Sequence, residues 1–197
     1  MGGSPPASAV RSLNPMPIDR LRTAAITLSD RPADPYAVTS GGSPNTSCKC
    51  GEVVAVSWGL SVDCYSGKPG KALGWYRRKQ AIALDVQNLA TWAHELVHAT
   101  DDRQGQFTER GQHWRSETVA ELGGAVLLEC MGQPVDADLG GCWEYVSAYA
   151  RDAGLEPIAA CNRVLKRTCD AVALILDTAG TLAASQSLIE FTAEAVA

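Results

Sequence analysis

No stretch of the sequence holds the roughly twenty consecutive apolar residues that a helix needs to cross a bilayer, so no membrane span is expected. The opening MGGSPPASAVRSLNPMP lacks the apolar centre of a secretory leader, which makes the cytoplasm the expected compartment. Basic charge is short too: 17 Lys and Arg against 22 Asp and Glu leave a formal net charge of −5. A protein held on nucleic acid chiefly by neutralising phosphates needs the opposite balance, so nucleic acid is a doubtful partner. The local basic run Arg77-Arg78-Lys79, with Lys68 and Lys71 nearby, is read as a solvated hairpin tip.

A disulfide framework is also missing. Seven cysteines (Cys48, Cys50, Cys64, Cys130, Cys142, Cys161 and Cys169) are odd in number and irregular in spacing, and are read as reduced. Cys130 and Cys169 fall in apolar helical stretches and are expected to pack as small hydrophobes. Cys48, Cys50 and Cys64 offer three thiols and no C-x-x-C pair, a poor basis for a structural zinc site.

What is present is apolar substance for one domain: 46% of 197 residues. Residues 1 to 17 and 29 to 47 are rich in Pro, Gly, Ser, Thr and Asp and are read as tail and linker. Between them, Ile18 to Leu28 can form a short helix with Leu21, Ala25 and Leu28 on one side. The domain proper is expected over residues 48 to 197. Val53 to Val56 reads as a buried strand, and Lys71 to Leu84 as another around a basic turn. Helices are expected from an Asp85 N-cap to about Thr100, from about Gln112 to Met131, from Cys142 to Ala153, and from Glu156 to Ala179 with Gly180 as its stop. A weaker helical stretch closes the chain. In the second of these helices Leu122, Ala125, Val126 and Leu127 are expected to point inward, and Trp143, Tyr145 and Tyr149 to form an interhelical contact.

Histidine is scarce, and two of the three stand in the first of these helices as His94-Glu95-Leu96-Val97-His98. At about 100° per residue, positions four apart differ by roughly 40° around the axis, so both imidazoles leave one side of the helix and can share an ion. Glu95 is turned aside, which suits a group that must touch water bound to a metal without binding the metal itself. A catalytic zinc needs a third protein ligand and an open position. Six residues after His98, where a third histidine would complete one known pattern, stands Gln104, and three after it stands Asp101 in place of glycine. Ser116-Glu117-Thr118-Val119-Ala120-Glu121 instead offers two carboxylates four apart on one helical face. Glu117 is the expected third ligand, and Glu121 the expected partner of a ligand histidine, with the reverse assignment left open. His113 is a candidate oxyanion stabiliser or alternative ligand, or a histidine with no role in the site.

From Leu73 to about Leu176 the sequence resembles the zincin-like metallopeptidase domain of ArdC-type antirestriction proteins and related phage and plasmid polyvalent proteins. The residues that carry the likeness are Ala72-Leu73-Gly74-Trp75-Tyr76 with Ile82-Ala83-Leu84, then Ala90 to Thr100 around the histidine pair, then Ser116-Glu117-Thr118-Val119-Ala120-Glu121-Leu122-Gly123-Gly124-Ala125. The resemblance implies an α+β zincin-like fold: a small, mainly antiparallel β part beside a metal-bearing helix pair, with a C-terminal helical cap. It implies a Zn2+-dependent peptidase acting on a protein or peptide substrate, from a phage, plasmid or other mobile element, with an antirestriction-like role. The Pro/Ser-rich start does not look like the single-stranded-DNA domain usual in that group, and His113-Trp114 replaces the group's tyrosine-containing run. Two other classes compete: a metal-stapled protein that masks a defence enzyme without cutting it, and a single-stranded DNA binder.

Overall fold

The computed structural model describes residues 46–65, 72–85 and 88–194. The expected Ile18 to Leu28 helix and the tail around it lie outside those residues, as do Lys68 and Lys71. The architecture is mixed α+β, mostly helical, with one small three-stranded sheet.

The first element is a helix, α1 (Thr46–Ser57), which corrects the reading of Val53 to Val56 as a strand. Val54 and Ala55 are fully buried while Val56 is exposed, a one-sided pattern that suits a helix packed on a core. Tertiary packing here overrides the β preference of valine. Close approach also requires Gly51, where a Cβ would stand 2.0 Å from Trp92 Nε1 on the next helix.

Three strands follow: β1 (Ser61–Cys64), β2 (Gly74–Arg77) and β3 (Ala81–Leu84). Their order is β1-β3-β2, with β1 parallel and β2 antiparallel to β3, so the sheet is not mainly antiparallel. Strand β1 had no reading of its own in the sequence, because Ser61-Val62-Asp63-Cys64 is short and polar. Ala81, Ile82 and Ala83 are all buried, as expected of a central strand. The β2–β3 turn carries Lys79 at φ 56°, and its N–H donates to Tyr76 Oη at 2.8 Å.

Helix α2 (Leu89–Arg103) is capped by Asn88, whose Oδ1 accepts from Thr91 N at 3.1 Å, so Asp85 is not the cap. Helix α3 (Trp114–Cys130) starts from an N-cap at His113. A short turn, α4 (Pro134–Ala137), leads through Asp138 at φ 39° into α5 (Leu139–Asp152), which Asp138 caps through Gly141 N at 3.1 Å. The last helix, α6 (Pro157–Glu194), runs straight through Gly180. A lone glycine costs a helix only about 1 kcal/mol. Val164, Ala171, Val172 and Ile175 are buried against the other helices, and Ala179 and Leu182 still pack on that core.

The core runs through α1, β3, α2, α3, α4 and α6. Cys130 and Cys169 lie on exposed helix faces, contrary to the expectation that they pack inside, whereas Cys142 is buried. Val126 is also exposed and Leu122 half-buried, while Ala125 and Leu127 are buried. Among the described residues no helix is long and apolar enough to cross a membrane.

Two glycines set the spacing that matters most. A Cβ on Gly123 would meet Val97 Cγ1 at 2.9 Å, and one on Gly124 would meet His94 N at 3.1 Å. Without side chains there, α3 settles directly on the backbone of α2, at the turn that carries the first histidine.

Candidate metal centre

That packing brings together side chains from two helices. His94, His98 and Glu117 each offer a ligand atom within 4.8 Å of the others. Glu117 Oε2 is 3.5 Å from His94 Nε2, and Glu117 Oε1 is 3.8 Å from His98 Nε2. Ligands 2.0–2.2 Å from a tetrahedral zinc stand about 3.4 Å apart, so each histidine-to-carboxylate separation is close to that spacing, while the group taken with one atom per residue, at up to 4.8 Å, must draw together to share an ion.

The histidine environments add to the fit. His98 is buried, its Nδ1 has no hydrogen-bond partner among the described residues, and its Nε2 lies beyond hydrogen-bond reach of the carboxylate it faces. A buried imidazole left this way costs free energy that a shared cation would offset. His94 is held differently: its Nδ1 donates to Glu121 Oε2 at 2.9 Å, which leaves Nε2 turned toward Glu117. A carboxylate on the far nitrogen of a ligand histidine fixes the ring and raises its basicity.

The charges divide accordingly. Burial lowers the His98 pKa, the neighbouring His94 adds to this, and the result is about 3, so the ring is neutral at pH 7. For His94 burial also acts downward, but hydrogen bonds to Glu117 and Glu121 outweigh it and carry the pKa up to about 9. Glu117 responds in the opposite sense: burial would raise it, and the His94 and Tyr145 hydrogen bonds with the nearby histidines hold it below the usual carboxylate range. Without metal, His94 therefore carries a proton at pH 7 that a cation must displace. Zinc affinity is expected to rise by roughly tenfold per unit between about pH 7 and 8.5, where an ordinary histidine is mostly deprotonated. Competition titrations against a chromogenic chelator across that range check this, and a flat profile above pH 7 contradicts it.

Glu95 lies beside the group and outside it. It is 7% exposed, and burial pushes its pKa up to about 7, with the Tyr76 backbone N–H pulling the other way. The contact with β2 depends on Gly74, where a Cβ would stand 3.1 Å from Glu95 Cγ and 2.8 Å from Thr91 Cγ2.

His113, the candidate oxyanion stabiliser, stands immediately before the helix that carries Glu117. As N-cap of α3 it accepts from Arg115 N at 3.2 Å through Nδ1, with its ring 6.0 Å from that of Trp114. Beside the Glu117 carboxylate stands Tyr145, whose Oη donates to Glu117 Oε2 at 2.9 Å. Its ring lies edge-on to His94 at 5.9 Å and against Tyr149 at 4.9 Å. Sequence reasoning treated Tyr145 as packing together with Trp143, which is in fact 46% exposed.

Below the histidines, α2 ends in two buried acids with arginine partners from elsewhere in the fold. Asp102 accepts from Arg78 at 2.7 and 3.0 Å and from Tyr76 Oη at 2.8 Å. Arg78 is thus tied down and lies over the Phe107 ring, which corrects the picture of a simply solvated basic run. Asp101 accepts from Arg167 Nε at 2.7 Å, and the same guanidinium reaches Glu109 at 2.8 and 3.0 Å. Phe107, in the segment these pairs pin, covers His98 with ring centroids 5.2 Å apart. Of the three thiols judged a poor basis for a zinc site, Cys64 is exposed at the end of β1, and the side chains of Cys48 and Cys50 lie outside the description. Compared with protein-family models, with curated proteins and with solved structures, the chain gives no match.

Proposed function

We propose that this chain is a zinc-dependent peptidase of the zincin-like kind, related to the ArdC-type antirestriction proteins that its motifs resemble. The observation that carries the reading is the convergence of His94, His98 and Glu117, with ligand atoms within 4.8 Å of one another and Glu95 outside the group. His94, His98 and Glu117 would hold the ion, and the two imidazoles with one carboxylate suit zinc. When bound, zinc supplies Lewis acidity, making water a nucleophile near neutral pH and polarising a carbonyl.

The chain's own residues do the rest. Glu95 takes a proton from the attacking water and delivers it to the leaving amine nitrogen, a role that suits a buried carboxylate beside the group and outside it. Glu121 holds the His94 ring. Among the described residues β2, the strand that faces Glu95, is an edge strand of the sheet, the kind of position that can take an extended peptide as a further strand. Phe107 and the buried surroundings of His98 keep bulk water from that side of the group.

The test is digestion of a defined peptide pool by the zinc-loaded protein, read by mass spectrometry beside a chelator-treated control. New termini that depend on metal support hydrolysis. Stoichiometric zinc with no cleavage of peptides or of candidate defence enzymes would favour the masking role.

A further inference from the structure

We propose that Tyr145 is a positioning residue for the third ligand: its hydroxyl holds the Glu117 carboxylate in the orientation that faces both histidines. This role presupposes that zinc is held as proposed above. Glu117 stands in the first turn of α3, and a glutamate side chain there has three rotatable bonds to arrest before it can serve as a ligand. Burial alone does not select a rotamer. The hydrogen bond from Tyr145 Oη to Oε2 does, because it fixes one oxygen at 2.9 Å while Oε1 stays turned toward His98 Nε2.

Tyr145 is itself well placed to act as an anchor. It projects from α5, a helix that packs against α3, and its ring is wedged between Tyr149 and the edge of His94. Its hydroxyl is a proton donor at neutral pH, and the Glu117 oxygen 2.9 Å away accepts from it. His94 is fixed by Glu121 from α3, whereas Glu117 is fixed from α5. The C-terminal helical part therefore completes the ligand set by orienting it, and this is a task separate from closing the core.

Zinc affinity of the purified full chain and of Tyr145→Phe, measured by competition with a chromogenic chelator, tests this directly. The phenyl ring preserves the packing, so the melting temperature of the metal-free variant is expected to match the wild type within a few degrees. Loss of an outer partner of a ligand is expected to weaken zinc binding by about 10- to 100-fold. Equal affinity in the two proteins overturns the role. So does an unchanged affinity accompanied by lost peptide cleavage, which would place the hydroxyl on the substrate instead. If the wild type binds no zinc, the metal reading itself fails and this role with it. Should the variant not fold, the near-ultraviolet difference spectrum of the wild type on zinc addition replaces it: a tyrosine signal saturating at one equivalent is expected, and a flat spectrum overturns the role.

Discussion

Replacing Glu95 by Gln is expected to abolish metal-dependent peptide cleavage while leaving zinc in place. Glutamine keeps the volume and the approach to β2, so the packing around Gly74 and Thr91 is undisturbed. It cannot accept the water's proton, and loss of a general base costs about 10²- to 10⁴-fold in rate. Paired zinc analysis and cleavage assays read both halves of the prediction. Full activity in Glu95→Gln would remove Glu95 from the chemistry, and lost zinc would mean that it contributes to the ligand set. The same variant separates cutting from masking, since a protein that only covers its target has no use for this proton acceptor.

The largest stability effect is expected at Arg167. Its guanidinium spans Asp101, near the end of the helix that carries the histidine pair, and Glu109, in the segment leading to α3. Asp101 is fully buried, and the Arg167 and Glu109 side chains are only 15% and 11% exposed. Arg167→Met retains the aliphatic stem and strands a buried carboxylate, a change that typically costs 3–5 kcal/mol, or about that range here. Denaturant unfolding measures it. Adding Asp101→Asn should recover part of the loss, because the stranded charge is then gone. A single variant within about 0.5 kcal/mol of wild type, the usual scatter of surface substitutions, would show that Arg167 is a surface pair of little consequence.

The local geometry of the candidate site was legible because a helix fixes it. The spacing of four puts His94 and His98 on one side, and the same spacing puts Glu117 and Glu121 on one side of the following helix. The approach of the two faces was half legible: Gly123-Gly124 was part of a motif, but only coordinates tell that it lies against Val97 and the backbone of His94. Tyr145 was out of reach, being 28 residues from Glu117 in sequence and joined to it only by how α5 packs on α3. The same limit applies to Arg78 and Arg167, whose partners are 24 and 66 residues away.

Misreadings of the fold have local causes. A run of valines can line a helix when the core is on one side of it, as in α1. Strand β1 lacks hydrophobic alternation because its pairing with β3, and not its own side chains, holds it in the sheet. Gly180 fails to stop α6 because Ala179 and Leu182 still have a core to pack on. In each case tertiary contacts outweigh local preferences that are worth a kcal/mol or so.

The most direct test is elemental analysis of the purified chain beside its Glu117→Ala variant. One zinc per chain in the wild type and a large loss in the variant are predicted, since two neighbouring histidines alone make an incomplete site. Stoichiometric zinc persisting without the Glu117 carboxylate, or none in the wild type, would contradict a centre built from His94, His98 and Glu117.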